Sequence, residues 1–195
     1  MKESISYIRK CIAEINNRFC QYPSLFFNES DIQSELFALL LKKFGNKTEI
    51  KNTSVWGTNK IKKTKKCFTK KLHSELLLPN GRIDIVILDL DSIRFAMNSQ
   101  GNFGYIQLED GNHIFIEIKA SRTNRSNISS KKKWYDLIAS DIKKLNQYTH
   151  PCFILCFDFK NILDKTMINS LEKITKKNVE LVYLKNKVRD NYLIK

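Results

Sequence analysis

Pairs of metal-binding or redox-active thiols are missing from this chain. Its five cysteines, Cys11, Cys20, Cys67, Cys152 and Cys156, include no CxxC, and its three histidines, His73, His113 and His150, stand at no metal-ligand spacing. That excludes a zinc-ribbon or dithiol reading and assigns the histidines no chemistry. Cys152 and Cys156 lie inside an apolar run and read as reduced, buried thiols. An odd cysteine count without a secretory signal points to a reducing cytoplasm. Long hydrophobic runs are also lacking: "LFALLL" and "CFILCF" fall far short of the ~20 residues of a membrane span, so a soluble protein with no membrane partner is expected. No repeat and no dividing linker interrupts the chain, which reads as one domain over residues 1–195. Acids are the scarce charge. Twenty Asp and Glu face 34 Lys and Arg, a formal net charge of +14. An excess of this size points first to a polyanion, most often nucleic acid, although part of it follows from a composition rich in Lys, Asn and Ile.

What is present alternates helix and strand. Ile5, Ile8, Ile12 and Ile15 recur at helical spacing, so an N-terminal amphipathic helix is expected over residues 1–20, broken by "YPSLFF". A second helix should start near Asn28, a good N-cap followed by acidic residues, bury Ile32, Leu36, Leu39, Leu40 and Phe44, and stop at Gly45. Residues 46–71 form a polar, basic insertion ending in "KIKKTKKCFTKK", which fits a solvated loop and a loop beside a nucleic-acid site equally well. "LHSELLL" and "RIDIVILDL" around "PNG" predict a β-hairpin, and residues 91–111 a second, more elaborate one. "HIFIEIKA" is the next strand and "SRTNRSNISSKKK" a basic loop. A helix over 131–148 follows, with Trp134, Leu137, Ile138, Ile142 and Leu145 facing the core and Asp141 within the stripe. "PCFILCFDF" reads as a strand buried on both faces, followed by a helix over 161–176 and the strand "VELVYL". This order predicts an α/β fold with a mixed central sheet flanked by helices.

Charged groups appear where burial is expected. Asp84 shares a strand face with Val86 and Leu88, and Glu117 and Lys119 share one with Phe115. Glu117 and Lys119 by themselves also fit a salt-linked pair on an exposed sheet face. Asp84 changes that balance, because neighbouring strands would bring both acids to one point, where a cation must hold them ionised. Mg²⁺ suits such a place, since it needs only one or two carboxylates and keeps other positions for water and a substrate phosphate; Mn²⁺ is the alternative. Lys119 would then position or activate water and stabilise developing negative charge.

With "RID" at Asp84, "EIK" at Glu117 and Lys119, and an upstream helix opening "NESDIQSEL", the chain resembles the PD-(D/E)xK nuclease superfamily. That superfamily includes many restriction endonucleases, Holliday-junction resolvases and repair nucleases. The resemblance covers residues 28 to about 158 and implies a restriction-endonuclease-like core of helix, three-stranded meander, helix and strand. It also implies a Mg²⁺-dependent deoxyribonuclease, with Asp84 and Glu117 as metal ligands and Lys119 as the catalytic lysine. An acid from the first core helix often joins the site; Glu29 is the first candidate and Glu35 the second, although Glu29 equally fits a first-turn acid favoured by the helix dipole. Asp141 and Lys144 in "DIKKL" match a helix motif that supports the site or contacts substrate. Ile83 stands where the family commonly has proline.

Several readings stay open at this level. Glu75 is either a further acid near the site or an exposed residue on an outer strand. Trp56 and Trp134 are candidate base-stacking groups, with burial the expected state of Trp134. A catalytically inactive nucleic-acid-binding or assembly protein of the same fold is the rival function, and RNA stands beside DNA as substrate. Restriction, defence, repair and recombination are all compatible with the pattern. A homodimer or a larger nucleic-acid-processing complex is an open alternative to a monomer.

Overall fold

Apolar spacing along the first two helices decides where they lie. In the computed structural model, which describes residues 1–50, 53–55, 67–78, 80–97, 103–121 and 130–186, α1 spans Lys2–Gln21 and buries Ile8, Cys11, Ile12, Ile15 and Phe19. The second helix, α2 (Glu29–Phe44), buries Ile32, Leu36, Leu39, Leu40 and Phe44, the stripe its spacing predicts. A capping box opens it: Asn28 Oδ1 accepts from the Ser30 and Asp31 amides at 2.7 and 3.2 Å, and Asp31 Oδ2 accepts from the Asn28 amide at 3.2 Å. Three N-terminal amide donors that the helix itself leaves unpaired are thereby satisfied. Gly45 is the C-cap of α2, and glycine fits there because a Cβ would lie 2.5 Å from the Leu41 carbonyl oxygen.

The strands in chain order are β1 (Lys47–Ile50), β2 (Thr53–Val55), β3 (Cys67–Lys70), β4 (Leu72–Leu78), β5 (Gly81–Ile87), β6 (Ile93–Met97), β7 (Phe103–Leu108), β8 (Ile114–Ala120), β9 (Cys152–Asp158) and β10 (Val179–Lys185). Two more helices, α3 (Lys131–Leu145) and α4 (Lys165–Ile174), make four α-helices among the described residues. The central sheet runs β10–β9–β8–β5–β4. Its β4–β5 and β5–β8 pairs are antiparallel, while β8–β9 and β9–β10 are parallel and are connected through α3 and α4. The sheet is therefore mixed. From α2 onward the elements on it follow as meander β4–β5–β8, helix α3 and strand β9. Gly81, at φ +117°, lets the chain turn into β5 where an L side chain would be strained.

Both sheet faces are covered. Ile85, Ile87, Ile114, Ile116, Ile118, Phe153, Leu155 and Phe157 pack with α1 and α2. On the other side Val86, Phe115, Ile154 and Cys156 pack with Trp134, Ile138 and Ile142 of α3 and Leu171 of α4. Burial of each such side chain contributes about 1.5–3 kcal/mol, which makes the strand face bearing Asp84, Glu117 and Lys119 a core face. Trp134 is wholly buried, with Nε1 donating to Tyr183 Oη at 2.9 Å, so it is a core residue and offers no surface to a base.

Some expectations need correction. Leu137, assigned to the core by spacing, is exposed, because α3 turns its Trp134, Ile138, Ile142 and Leu145 edge to the sheet. Helix α4 starts only at Lys165, since the Asp158 carboxylate binds the Lys160, Ile162 and Leu163 amides and fixes residues 159–163 as a turn. Within the basic insertion, β1 and β3 pair antiparallel and β2 joins β6 and β7 in a separate sheet, so 46–71 is not wholly loop. The basic run "KIKKTKK" and Trp56 lie outside the described residues. No helix among the described residues is long and apolar enough to cross a membrane.

Candidate active site where two strands part

The ladder between β5 and β8 covers only Ile85 with Ile116, Val86 with Phe115 and Ile87 with Ile114. One step further, Asp84 and Glu117 would face each other. There a side chain takes over from the main chain: Asp84 Oδ2 accepts from the Ile118 amide at 2.7 Å. The carboxylate thus satisfies a strand amide where the two strands stop pairing.

Glu117 sits beside it, 1% exposed, against 8% for Asp84. Burial first, and then the neighbouring Asp84 charge, push the Glu117 carboxyl from 4.5 up to about 8, although Lys144 pulls the other way. Lys144 Nζ lies 2.5 Å from Glu117 Oε1, donates to the Arg82 carbonyl at 2.9 Å and lies 3.5 Å from Asp141 Oδ1. Asp141 and Lys144 stand three residues apart on α3 and so share a face directed at the sheet.

Lys119 is bound differently. Its Nζ lies 3.2 Å from Asp141 Oδ2 and 3.5 Å from Glu29 Oε1, and donates to the Ile118 carbonyl at 3.1 Å. Burial by itself would lower its pKa; the charges of Glu29, Asp141, Asp84 and Glu117 outweigh burial and raise it. Lys119 is therefore an ammonium that donates hydrogen bonds.

Glu29 enters from the first turn of α2. Its Oε2 accepts from the Ala120 amide at 3.3 Å, and burial together with the Asp84 charge raises its pKa against the pull of Lys119. Glu35 does not reach this place. Six residues on, about 1.7 helical turns, its carboxylate pairs with Arg18 of α1 at 2.8 Å and is half exposed. Of the two helix acids, Glu29 is the one beside Asp84 and Lys119.

Gln33 is the residue that sequence reasoning missed. Its Nε2 donates to the Asp84 carbonyl at 2.9 Å and to Glu75 Oε1 at 3.0 Å. The signal was available, because Gln33 follows Glu29 by four residues and shares its helix face. Glu75, on the outer strand at φ +55°, also pairs with Arg82 at 2.5 Å, so it serves as a bracket between α2 and β5.

Counted as formal charges, Asp84, Glu117, Glu29 and Asp141 exceed Lys119 and Lys144 by two, inside a chain of net charge +14. Among the described residues, no group of three or more His, Cys, Asp or Glu side chains is close enough to hold a metal ion. The pair Asp84 and Glu117 could supply two hard oxygen ligands, which is within what Mg²⁺ uses when water and substrate complete its shell. The chain matches no known family model, no curated protein and no solved structure.

Proposed function

We propose that this protein is a divalent-metal-dependent nuclease that hydrolyses phosphodiester bonds in DNA, on a restriction-endonuclease-like core. The observation that carries the reading is the meeting of Asp84, Glu117, Lys119 and Glu29 where β5 and β8 part, with three acids gathered around one lysine. Burial and the neighbouring Asp84 charge make the Glu117 carboxylate costly to ionise, and a divalent cation in place of its proton would offset that cost. Asp84 and Glu117 would hold Mg²⁺ or Mn²⁺, which would supply Lewis-acid stabilisation of the phosphate and a bound water of lowered pKa. Glu29 and Asp141 keep Lys119 charged. As an ammonium, Lys119 orients the attacking water and stabilises the charge that builds on phosphate oxygens. Gln33 holds the Asp84 main chain and so fixes its carboxylate. The net positive charge supports a nucleic-acid substrate. Cutting of both strands by a homodimer, and a cytoplasmic place in restriction, repair or recombination, belong to the same proposal.

The test is incubation of purified protein with plasmid, linear, single-stranded and branched DNA, and with matched RNA, with Mg²⁺, with Mn²⁺ and with EDTA. Cleavage should need the metal. It should fall by at least about a hundredfold in Asp84→Asn and Glu29→Gln, and stay unchanged in Glu35→Gln. Cleavage that survives both EDTA and Asp84→Asn refutes the mechanism. Salt-dependent binding of DNA that is never cut under any divalent ion would make the protein a binding or assembly factor.

A further inference from the structure

The place beside Glu117 that a cation would take is held by Lys144. Its Nζ lies 2.5 Å from Glu117 Oε1, and its stem runs past Gly81, where a Cβ would meet Lys144 Cδ at 3.6 Å. Lys119, the other ammonium, is spoken for by Glu29, Asp141 and the Ile118 carbonyl. An ammonium and a divalent ion repel, so each weakens the other's hold on the Glu117 carboxylate.

Resting on the nuclease reading above, we propose that Lys144 is a displaceable counter-ion: it holds Glu117 until a divalent cation arrives, then swings to a phosphate of the bound nucleic acid. Its departure strands no partner. Glu117 gains the metal, and Asp141 keeps Lys119 at 3.2 Å. The Arg82 carbonyl belongs to a residue whose side chain is 66% exposed, where water can replace the lost donor. Lys144 alone is left without an anion, and its unbranched, flexible stem lets it seek one nearby. The nearest new anion in a working complex is the substrate backbone. One residue thereby couples metal entry to grip on the nucleic acid.

Two measurements without turnover test this. Thermal unfolding during a MgCl₂ titration compares wild type with Lys144→Met, and with Lys144→Gln, which keeps a donor for the Arg82 carbonyl should the Met variant fail to fold. Loss of the competing ammonium should lower the half-saturating Mg²⁺ concentration by about tenfold in either variant, while Lys143→Met behaves as wild type. Binding to a phosphorothioate duplex is then measured across salt concentrations. In EDTA, wild type and variants should share one slope of log affinity against log salt; with Mg²⁺, wild type should be steeper by about one, the mark of one added phosphate contact. Unchanged Mg²⁺ dependence in both Lys144 variants, or equal slopes with Mg²⁺, overturns the displacement and leaves the nuclease reading standing. Wild type that shows no Mg²⁺-dependent shift overturns that reading and the displacement with it.

Discussion

Replacing Glu117 by Gln should make the metal-free protein more stable, and more so as pH rises. The Glu117 carboxyl has a pKa of about 8 in the folded chain against an ordinary 4.5. Between those values the folded state binds a proton that the unfolded state has released, so stability falls as pH rises across that window and levels off above it. At about 1.4 kcal/mol per pH unit the penalty amounts to roughly 5 kcal/mol, an upper limit because local opening and water entry relieve a buried charge. Gln has nearly the same shape and no charge, and its amide oxygen can still accept from Lys144. Even a penalty near 2 kcal/mol would move the unfolding midpoint by about 4–8 °C in a chain of this size. The assay is thermal unfolding by circular dichroism in chelated buffer, wild type beside Glu117→Gln, from about pH 5 to about pH 9. The two curves should meet near the acid end, separate up to about pH 8 and hold their distance above it, with the variant higher. Saturating Mg²⁺ at the alkaline end should close the gap, because the metal stabilises only the carboxylate. A difference that does not change with pH, or a variant less stable at the alkaline end, would refute the burial and charge argument for Glu117.

Two further outcomes follow from groups outside the site. His113 is wholly buried, its Nδ1 accepts from the Asp89 amide at 3.1 Å, and burial lowers its pKa below 6.5. Here the unfolded state binds the extra proton, so the contribution of His113 to stability should be lost as pH falls below about 6.5; in Glu117→Gln, where the larger opposing trend is removed, the fall of the unfolding midpoint with acid should be shallower when His113→Gln is added. Asn28→Ala removes the cap of α2 and should cost about 1 kcal/mol, or about 2–4 °C. Because α2 carries Glu29, that variant should also lose some activity at temperatures well below its unfolding, measured by plasmid cleavage.

The periodic parts of the fold were readable because burial is set locally by spacing. Ile32, Leu36, Leu39, Leu40 and Phe44 had to share a helix face, and the alternation in "RIDIVIL" and "HIFIEIK" had to give each strand two faces. Asp84, Glu117 and Lys119 could be placed on one core face for the same reason. Which charge meets which could not be read, because the partners come from three different elements. Nothing in the spacing says that Lys119 sits with Asp141 and Glu29 while Lys144 takes Glu117. Leu137 misled because the edge of α3 that packs on the sheet is set by the angle at which the helix crosses it. The late start of α4 was hidden for a related reason: the Asp158 carboxylate competes for amides that an apolar pattern assigns to a helix.

Burial of an acid does not by itself mark a site, and the neighbouring strand supplies the comparison. Asp158 ends β9 and is as deeply buried as Glu117 on β8. It accepts from the Lys160 amide at 3.1 Å, from the Ile162 and Leu163 amides at 2.5 and 3.3 Å, and from Tyr183 Oη at 2.6 Å. Those donors are fixed by the chain and by a buried ring, so the Asp158 charge is fully answered by groups that cannot leave, and the residue builds a turn. Glu117 meets the opposite surroundings: another acid beside it, and as its counter-charge the end of a long side chain from α3. A carboxylate whose two oxygens are taken up by several main-chain amides and a buried hydroxyl has little to gain from a cation, whereas one held by a single ammonium can exchange that partner for another. The two acids differ in how replaceable their partners are, and that difference is the reason the proposed chemistry is placed at Glu117 and not at Asp158.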